Sequence, residues 1–194
     1  MYYFVKEPAV AIKILPLLIV TIGFGIIGFI DDFKKLVLKN TDGLKPKYSD
    51  FLHLPHGLIG FFEYNEAIEY AKKVNKPLFI DFTGHGCVNC REMEARVWSD
   101  PEVLTLLKEN YVILALYADD KKEADESDWI VTESGKTLKT IGKINSHLAM
   151  NKFNVNAQPY YAIIDPSTEK HLVEPSGYNL DVTSFINFLK GGLN

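Results

Sequence analysis

The only two cysteines of the chain, Cys87 and Cys90, stand three residues apart where a predicted strand turns into a predicted helix. The apolar segment 77–83 before them is typical of a buried strand, and residues 91–98 have a helical pattern. A thiol at a helix start lies beside unpaired backbone N–H groups and the positive end of the helix dipole, which stabilise a thiolate. A second thiol one turn later lies close enough to attack a mixed disulfide formed by the first.

Three interpretations of this pair are open at this point: a redox-active dithiol, a structural disulfide and half of a zinc site. Zinc sites need four ligands, and the sequence has no second cysteine pair. The histidines have no zinc-ligand spacing near the cysteines; His53 and His56 are three residues apart but lie in a Pro/Gly-rich stretch. The strand–turn–helix context therefore favours a redox-active dithiol and predicts no metal site.

Composition limits the classes of function. The chain has 194 residues, of which 47% are hydrophobic, enough for one domain with a real core plus an appendage. The formal net charge of −4 gives no reason to expect a nucleic-acid partner.

The appendage comes first. Residues 14–30 are an uncharged apolar run whose length is at the lower limit for a bilayer-spanning helix, and the run lengthens if Lys13 snorkels. A cleaved signal peptide fits less well, because Lys13 interrupts the run and Asp31-Asp32 replaces the small-residue cleavage site. Three glycines make a buried core helix the weaker alternative. The sequence therefore predicts an N-terminal transmembrane helix within a membrane-anchor segment, residues 1–46.

Residues 47–194 have the pattern of an α/β domain. We predict helices at 65–74, 87–98, 101–109, 144–153 and 181–189, strands at 77–83, 111–117, 160–164 and 171–173, and a charged insertion with a short hairpin at 119–142. Asn65 is the predicted N-cap of the first helix and Asp100 that of the third, where Pro101 follows at the first helical position.

This order resembles thioredoxin, and the residues more closely resemble the C-terminal thioredoxin-like domain of the transmembrane thiol–disulfide interchange protein DsbD. The resemblance is carried by YSDFLHLPHGL (48–58), KPLFIDFTGHGCVNCREMEARVWSDPEVL (76–104) and FNVNAQPYYAIID (153–165). It implies a thioredoxin-like fold, in which a central mixed sheet is covered by helices on both faces. It also implies that the only cofactor-like group is the redox-active Cys87–Cys90 disulfide.

The resemblance also implies catalytic roles. Cys87 matches the attacking cysteine and Cys90 the resolving one, while Asp81 matches a buried carboxylate that relays a proton to or from Cys90. Glu94 matches an acidic residue near the family's site. For Asp81 a satisfied polar residue at a strand end is the alternative, and for Glu94 it is a solvated helix acid.

A substrate-binding surface is implied beside the cysteines. Pro159 matches the proline that thioredoxins hold in cis, where the backbone of Gln158 pairs with an extended substrate segment. Gly86, Val88 and Asn89 flank or separate the cysteines and are expected to contact the same segment.

The N-terminal segment has a resemblance of its own. The sequence GFGIIGFIDDFKKLVLKNTDGLKP (23–46) resembles a piece of phospho-N-acetylmuramoyl-pentapeptide transferase, in which a Gly/Phe-rich membrane helix ends in an Asp-Asp pair matched by Asp31 and Asp32. The other membrane helices of that enzyme are not found in this sequence, so we expect no transferase activity. The segment is a native anchor, a fusion or a gene-boundary artefact.

Topology signals conflict. Five lysines follow the apolar run and two precede it, which by the positive-inside rule places the thioredoxin-like domain in the cytoplasm. The family resemblance places that domain in the periplasm, anchored to the inner membrane. The family's multi-helix electron-carrying domain is not found in this sequence, so we expect a membrane electron donor on another chain.

The leading expectation is therefore a protein-disulfide reductase or interchange enzyme acting on thiols and disulfides of exported proteins, in a setting such as cytochrome c biogenesis. The alternative is a non-catalytic thioredoxin-like chaperone or copper carrier in cytochrome or oxidase assembly. A copper carrier usually adds a His or Met ligand near the cysteines. Met93 is close in sequence but is expected to face the interior.

Overall fold

The computed structural model describes residues 52–193 and Thr21. The chain divides into two units, Met1–Ser49 and Asp50–Asn194, and every strand that the structure describes lies in the second unit. Apart from Thr21, the apolar run at 14–30 lies outside the described residues. Within the described part of the chain, no helix has both the length and the apolar character needed to cross a membrane.

The second unit contains the predicted helices and the strands predicted at 77–83, 111–117 and 160–164 in the predicted order, and adds two short strands before the first helix. The strands are β1 (Leu52–His53), β2 (Ile59–Gly60), β3 (Leu78–Thr83), β4 (Val112–Tyr117), β5 (Ile130–Val131), β6 (Thr137–Leu138) and β7 (Tyr160–Ile164). The helices are α1 (Tyr64–Val74), α2 (Val88–Met93), which continues as a π-helical stretch at Glu94–Trp98, α3 (Pro101–Asn110), α4 (Ile141–Phe153) and α5 (Val182–Gly191).

Three strands form the central sheet in the order β4-β3-β7. β3 runs parallel to β4, with Thr83 opposite Tyr117, and antiparallel to β7, with Phe82 opposite Tyr160. Both edges are extended by single bridges, from Phe61 to Leu114 beside β4 and from Ser176 to Tyr161 beside β7. β3 is buried along its whole length because it lies between two strands and under helices on both faces.

Alternation along β3 separates two layers of core. Phe79 and Asp81 project to one face, where the Phe79 ring packs against the rings of Trp98, Tyr111, Tyr161 and Phe185. The helices that contribute side chains to this layer are α2 with its π-helical continuation, α3 and α5. Phe82 projects to the other face and contacts Phe153 of α4 at a ring-centroid distance of 5.1 Å. Asp81 therefore points toward the helix that carries the cysteines.

Local details differ from the sequence-based expectation. The N-cap position of α1 is Glu63, and Asn65 lies inside the helix, so the predicted Asn65 cap is wrong. The strand predicted at 171–173 is not formed as a continuous strand. After the turn at Asp165 the chain returns beside β7, but it pairs there only through isolated bridges, from His171 to Ile164 and from Ser176 to Tyr161. The Asp100 cap is confirmed by its hydrogen bonds from the N–H groups of Glu102 and Val103.

Candidate active site

Cys87 and Cys90 form a disulfide at the start of α2. Cys87 occupies the N-cap position, and its Sγ accepts a hydrogen bond from the backbone N–H of Cys90 at 3.2 Å. The two sulfurs differ in access: Cys87 is partly exposed, whereas Cys90 is only 1% exposed. An incoming thiol or disulfide therefore reaches Cys87 first.

The loop before Cys87 is held by a residue that the sequence analysis did not single out. Asp119 Oδ1 accepts a hydrogen bond from the His85 N–H at 2.7 Å, and its Oδ2 accepts one from the Gly86 N–H at 2.8 Å. Desolvation raises the pKa of Asp119, but the hydrogen bonds from Gly86 and His85 outweigh it and leave that pKa lowered. The ring of His85 stacks on Tyr117 at 4.1 Å, which adds a second tie between this loop and β4.

Gly84 is closely approached by two side chains. A Cβ atom at residue 84 would lie 2.7 Å from Gln158 Oε1 and 3.1 Å from Asp119 Oδ2. Gly84 therefore lets the segment before Cys87 approach both the end of β4 and the segment that leads into β7.

The segment leading into β7 contains the predicted cis peptide bond, between Gln158 and Pro159. Tyr160, at the start of β7, pairs with Phe82, near the end of β3. The cis bond just before β7 therefore lies at the same end of the sheet as the loop before Cys87. Pro159 is buried, while Gln158 is exposed. The structure thus brings Gln158 and Pro159 next to the cysteine loop.

The remaining predicted contact residues lie on the outer surface of the same region. Gly86 and Asn89 are exposed, and Val88, between the two cysteines, is 77% exposed. An exposed aliphatic side chain beside a reactive sulfur offers an apolar contact to whatever binds there.

Two carboxyl groups are buried on the inner side of α2. Asp81 is 2% exposed and Glu94 is 6% exposed, which excludes a solvated helix acid as the interpretation of Glu94. Asp81 Oδ1 has no hydrogen-bond partner among the described residues. Glu94 Oε1 instead forms an ion pair with Arg91 Nη2 at 2.8 Å.

Burial shifts the pKa of both groups upward. Desolvation is the main cause for Asp81, and the charge of Glu94 raises the pKa of Asp81 further, against a smaller opposing effect of Arg91. Desolvation also raises the pKa of Glu94, whereas the charges of Arg91 and His56 oppose that rise. Two nearby carboxylates in a dry site cannot both ionise cheaply, so the pair favours a state that keeps one proton.

Metal ligands do not gather here. Among residues 52–193 and Thr21, no three His, Cys, Asp or Glu side chains are placed to hold a metal ion. Met93, the nearest additional soft ligand, is fully buried in the aromatic core. It is therefore directed away from the surface on which Cys87 lies.

We expect Asp119→Ala to loosen the loop before Cys87. Hydrogen exchange at the amides of His85 and Gly86 should accelerate at least about tenfold, because each loses a hydrogen bond to a charged acceptor. Asp119→Asn, which keeps one acceptor oxygen, should have a smaller effect. Amide exchange followed by NMR measures this, and unchanged protection of both amides in Asp119→Ala would show that the carboxylate does not hold the loop.

Comparisons with known proteins show the family and the fold of this chain. The family model described as "Thioredoxin-like domain" matches residues 64–190, more than half of the chain. The solved structure titled "DsbH Oxidoreductase" is similar with a TM-score of 0.52 at 20% sequence identity, over 69% of this chain and 83% of that one. The C-terminal domain of Neisseria meningitidis DsbD in the oxidised form gives a TM-score of 0.46 at 16% identity, over 69% of this chain and 99% of that one.

The curated proteins give a different, local match. The phospho-N-acetylmuramoyl-pentapeptide-transferase of Acetivibrio thermocellus is 69% identical over 32 residues, which are 16% of this chain and 10% of that enzyme. The chain spans between about a tenth and a fifth of the length of the transferases that it matches. The similarity is therefore to a short piece of that enzyme.

Proposed function

The chain belongs to the thioredoxin-like domain family, and on that premise we propose that it is a thiol–disulfide oxidoreductase that works through Cys87 and Cys90. The observation that carries the proposal is the unequal access of the two sulfurs. Cys87 is partly exposed at a helix start, three residues after Gly84, which lies close to Gln158 of the cis peptide bond, and Cys90 is buried. One sulfur is placed to meet a substrate and the other to resolve the resulting bond.

The reductive reaction proceeds in two exchanges. The Cys87 thiolate attacks one sulfur of a substrate disulfide, forms a mixed disulfide and releases the other substrate sulfur as a thiolate. Cys90 then loses its proton and attacks the Cys87 sulfur, which releases the second substrate thiolate and forms the Cys87–Cys90 disulfide. The substrate disulfide gains two electrons and the protein dithiol loses two.

Asp81 is the proposed proton acceptor for the second exchange. It lies on the sheet face that points toward α2, and burial raises its pKa well above the usual carboxyl range. Such a carboxyl group exchanges protons nearer the pH range of thiols than an exposed aspartate does. Asp81 therefore takes the proton of Cys90 when Cys90 attacks and returns it when the disulfide is reduced again.

The proposed substrate is an extended protein segment that carries a disulfide. The backbone of Gln158, held by the cis bond to Pro159, pairs with that segment as an added strand. Gly86, Val88 and Asn89 contact its side chains on the opposite side of the reacting sulfur. Gln158 and Val88 are both exposed and flank the loop that ends at Cys87.

Location and electron supply form a separate proposal that rests on the sequence. The apolar run at 14–30 anchors the chain in the inner membrane, and residues 47–194 form a periplasmic domain that acts on exported proteins, including those of cytochrome c biogenesis. A membrane electron donor on another chain reduces the Cys87–Cys90 disulfide. The lysine distribution around the run favours the opposite orientation, so a cysteine-accessibility assay in intact cells and spheroplasts decides the sidedness.

An insulin-reduction assay beside a Cu(I) titration tests the function. With dithiothreitol as reductant, the full chain should accelerate insulin precipitation, and the same protein with both cysteines alkylated should not. Stoichiometric Cu(I) binding with no acceleration would support a copper carrier instead, against the burial of Met93. The reduction potential of the Cys87–Cys90 couple, measured against glutathione, then separates a physiological reductant from an oxidant.

A further inference from the structure

The two buried carboxyl groups of the site have unequal surroundings. Glu94 Oε1 is 2.8 Å from Arg91 Nη2, whereas Asp81 Oδ1 has no hydrogen-bond partner among the described residues. Asp81 lies on β3, Glu94 follows directly after α2, and both side chains are buried. If the two carboxyl groups retain one proton between them, the proton will be on the group whose negative charge has the fewest hydrogen bonds and opposite charges beside it.

Arg91 is fixed by more than this ion pair. The same Nη2 atom donates to Thr83 Oγ1 at 3.1 Å and approaches the Gly84 carbonyl oxygen at 3.4 Å. These acceptors belong to the end of β3 and to the start of the cysteine loop. The guanidinium group is therefore tied to the strand and to the loop, which orients it toward Glu94.

Arg91 is only partly buried. Its side chain is 42% exposed, although the Nε atom is buried. A fixed cation with partial access to water compensates an ionised Glu94 without being buried itself.

We propose that Arg91 is a positioning residue that holds Glu94 as the ionised member of the pair and thereby leaves Asp81 as the group that carries the exchangeable proton of the site. The consequence for catalysis rests on the proposed function, since the proton serves Cys90 only if Cys90 takes part in exchange. The location of the proton is a property of the folded protein and can be measured without a substrate.

Other titratable groups face the pair from neighbouring elements. Tyr117 on β4 and Tyr161 on β7 lie close enough to interact with both carboxyl groups, and burial raises the pKa of each phenol, which keeps both neutral near pH 7. His56 lies beside Glu94 and donates from Nε2 to its backbone carbonyl oxygen at 2.8 Å. In the described part of the chain, the direct ion pair at this site is therefore the one between Arg91 and Glu94.

Infrared spectroscopy of the oxidised full chain at neutral pH locates the proton, because Asp81 holds the Cys90 proton while the disulfide is formed. The signal of a buried protonated carboxyl group should disappear in Asp81→Asn and persist in Glu94→Gln. In the double variant Arg91→Gln/Asp81→Asn the signal should return, because Glu94 has lost its partner and retains a proton. Loss of the signal in Glu94→Gln with persistence in Asp81→Asn would overturn the proposal.

The pH dependence of the Cys87–Cys90 reduction potential gives a second readout. A plot of this potential against pH changes slope at the pH where the coupled carboxyl group titrates. In Arg91→Gln this break point should move upward by about one pH unit or more, the effect of removing an opposite charge beside a carboxyl group. Arg91→Lys, which retains the charge but not the planar fork, should move it less than half as far. An unchanged break point in Arg91→Gln would refute the role of Arg91. A negative insulin assay would refute the proposed function and leave this result standing.

Discussion

Cys87→Ser is expected to abolish insulin reduction, while Cys90→Ser is expected to stop the reaction after the first exchange and accumulate a mixed disulfide. Cys87 is the sulfur that a substrate reaches, because Cys90 is only 1% exposed. Without Cys87 the rate should fall to background, at least about 10³-fold, on the scale seen when a covalent nucleophile is removed. Without Cys90 the first attack remains, but no sulfur resolves its product.

Mass spectrometry after mixing each variant with a disulfide-bonded peptide distinguishes the two roles. Cys90→Ser should carry one peptide attached to Cys87, and Cys87→Ser should remain unmodified. Reduced wild-type protein is the matched reference for folding, since both variants also lose the disulfide. Attached peptide on Cys90 in Cys87→Ser, at a rate equal to that on Cys87, would mean that the assigned order of attack is wrong.

The cysteine site was predictable because its determinants are local. A buried apolar strand, a short Gly-containing turn and a helix with Cys87 at its start lie within about twenty consecutive residues, and the structure confirms that arrangement. The burial of Asp81 was expected from the family resemblance, and the structure confirms it, because every residue of β3 is buried. The cis bond at Pro159 was expected from family resemblance, since a sequence by itself does not distinguish cis from trans.

Contacts between distant segments were not predictable in the same way. Asp119 follows a buried strand and heads a charged insertion, and it is exposed in the structure, so its sequence context did not distinguish it from the other acids of the insertion. Only the parallel pairing of β3 and β4 brings the ends of both strands together and places Asp119 under the loop before Cys87. One signal could have indicated Asp119. If β3 and β4 are parallel neighbours, the residues that follow both strands lie at the same edge of the sheet.

Glu94 shows a similar limit. Its position one turn after Cys90 is compatible with either a solvated or a buried side chain. The choice depends on how the helix turns on the sheet, and α2 continues into a π-helical stretch from Glu94 onward. The wider turn changes which side chains face the core, and Glu94 lies inward at 6% exposure.

Asp81→Asn is expected to stabilise the protein at neutral and alkaline pH and to slow disulfide exchange. Burial, reinforced by the charge of Glu94, raises the pKa of Asp81 in the folded state well above its unfolded value of 3.8. The folded state therefore holds this proton to higher pH than the unfolded state does. The Asp81 contribution to stability is fully present below the unfolded pKa and is lost as pH rises through the folded pKa.

Asparagine cannot ionise, so the variant should lose this pH dependence. The free energy of unfolding of Asp81→Asn should exceed that of the wild type at pH 8, because the variant no longer has a carboxyl group that burial makes costly to ionise; a gain of about 1 kcal/mol or more is expected, since one pKa unit corresponds to about 1.4 kcal/mol. The difference should shrink as the pH falls below the unfolded pKa of 3.8, where the wild-type carboxyl group is protonated in both states. Denaturant unfolding of the oxidised proteins across this pH range measures both effects.

The same substitution removes the proposed proton acceptor for Cys90. Resolution of a mixed disulfide, followed by stopped-flow release of a chromogenic thiol, should slow by about 10²-fold at pH 7, the lower end of the range for loss of a general base. Glu94→Gln is the matched control, because it neutralises the neighbouring buried carboxyl group. Glu94→Gln leaves Arg91 without its anion and should lower the free energy of unfolding, whereas Asp81→Asn should raise it. A variant Asp81→Asn that is less stable than the wild type at pH 8, or that resolves mixed disulfides at the wild-type rate, would show that Asp81 is ionised and structural instead of a carrier of the exchanged proton.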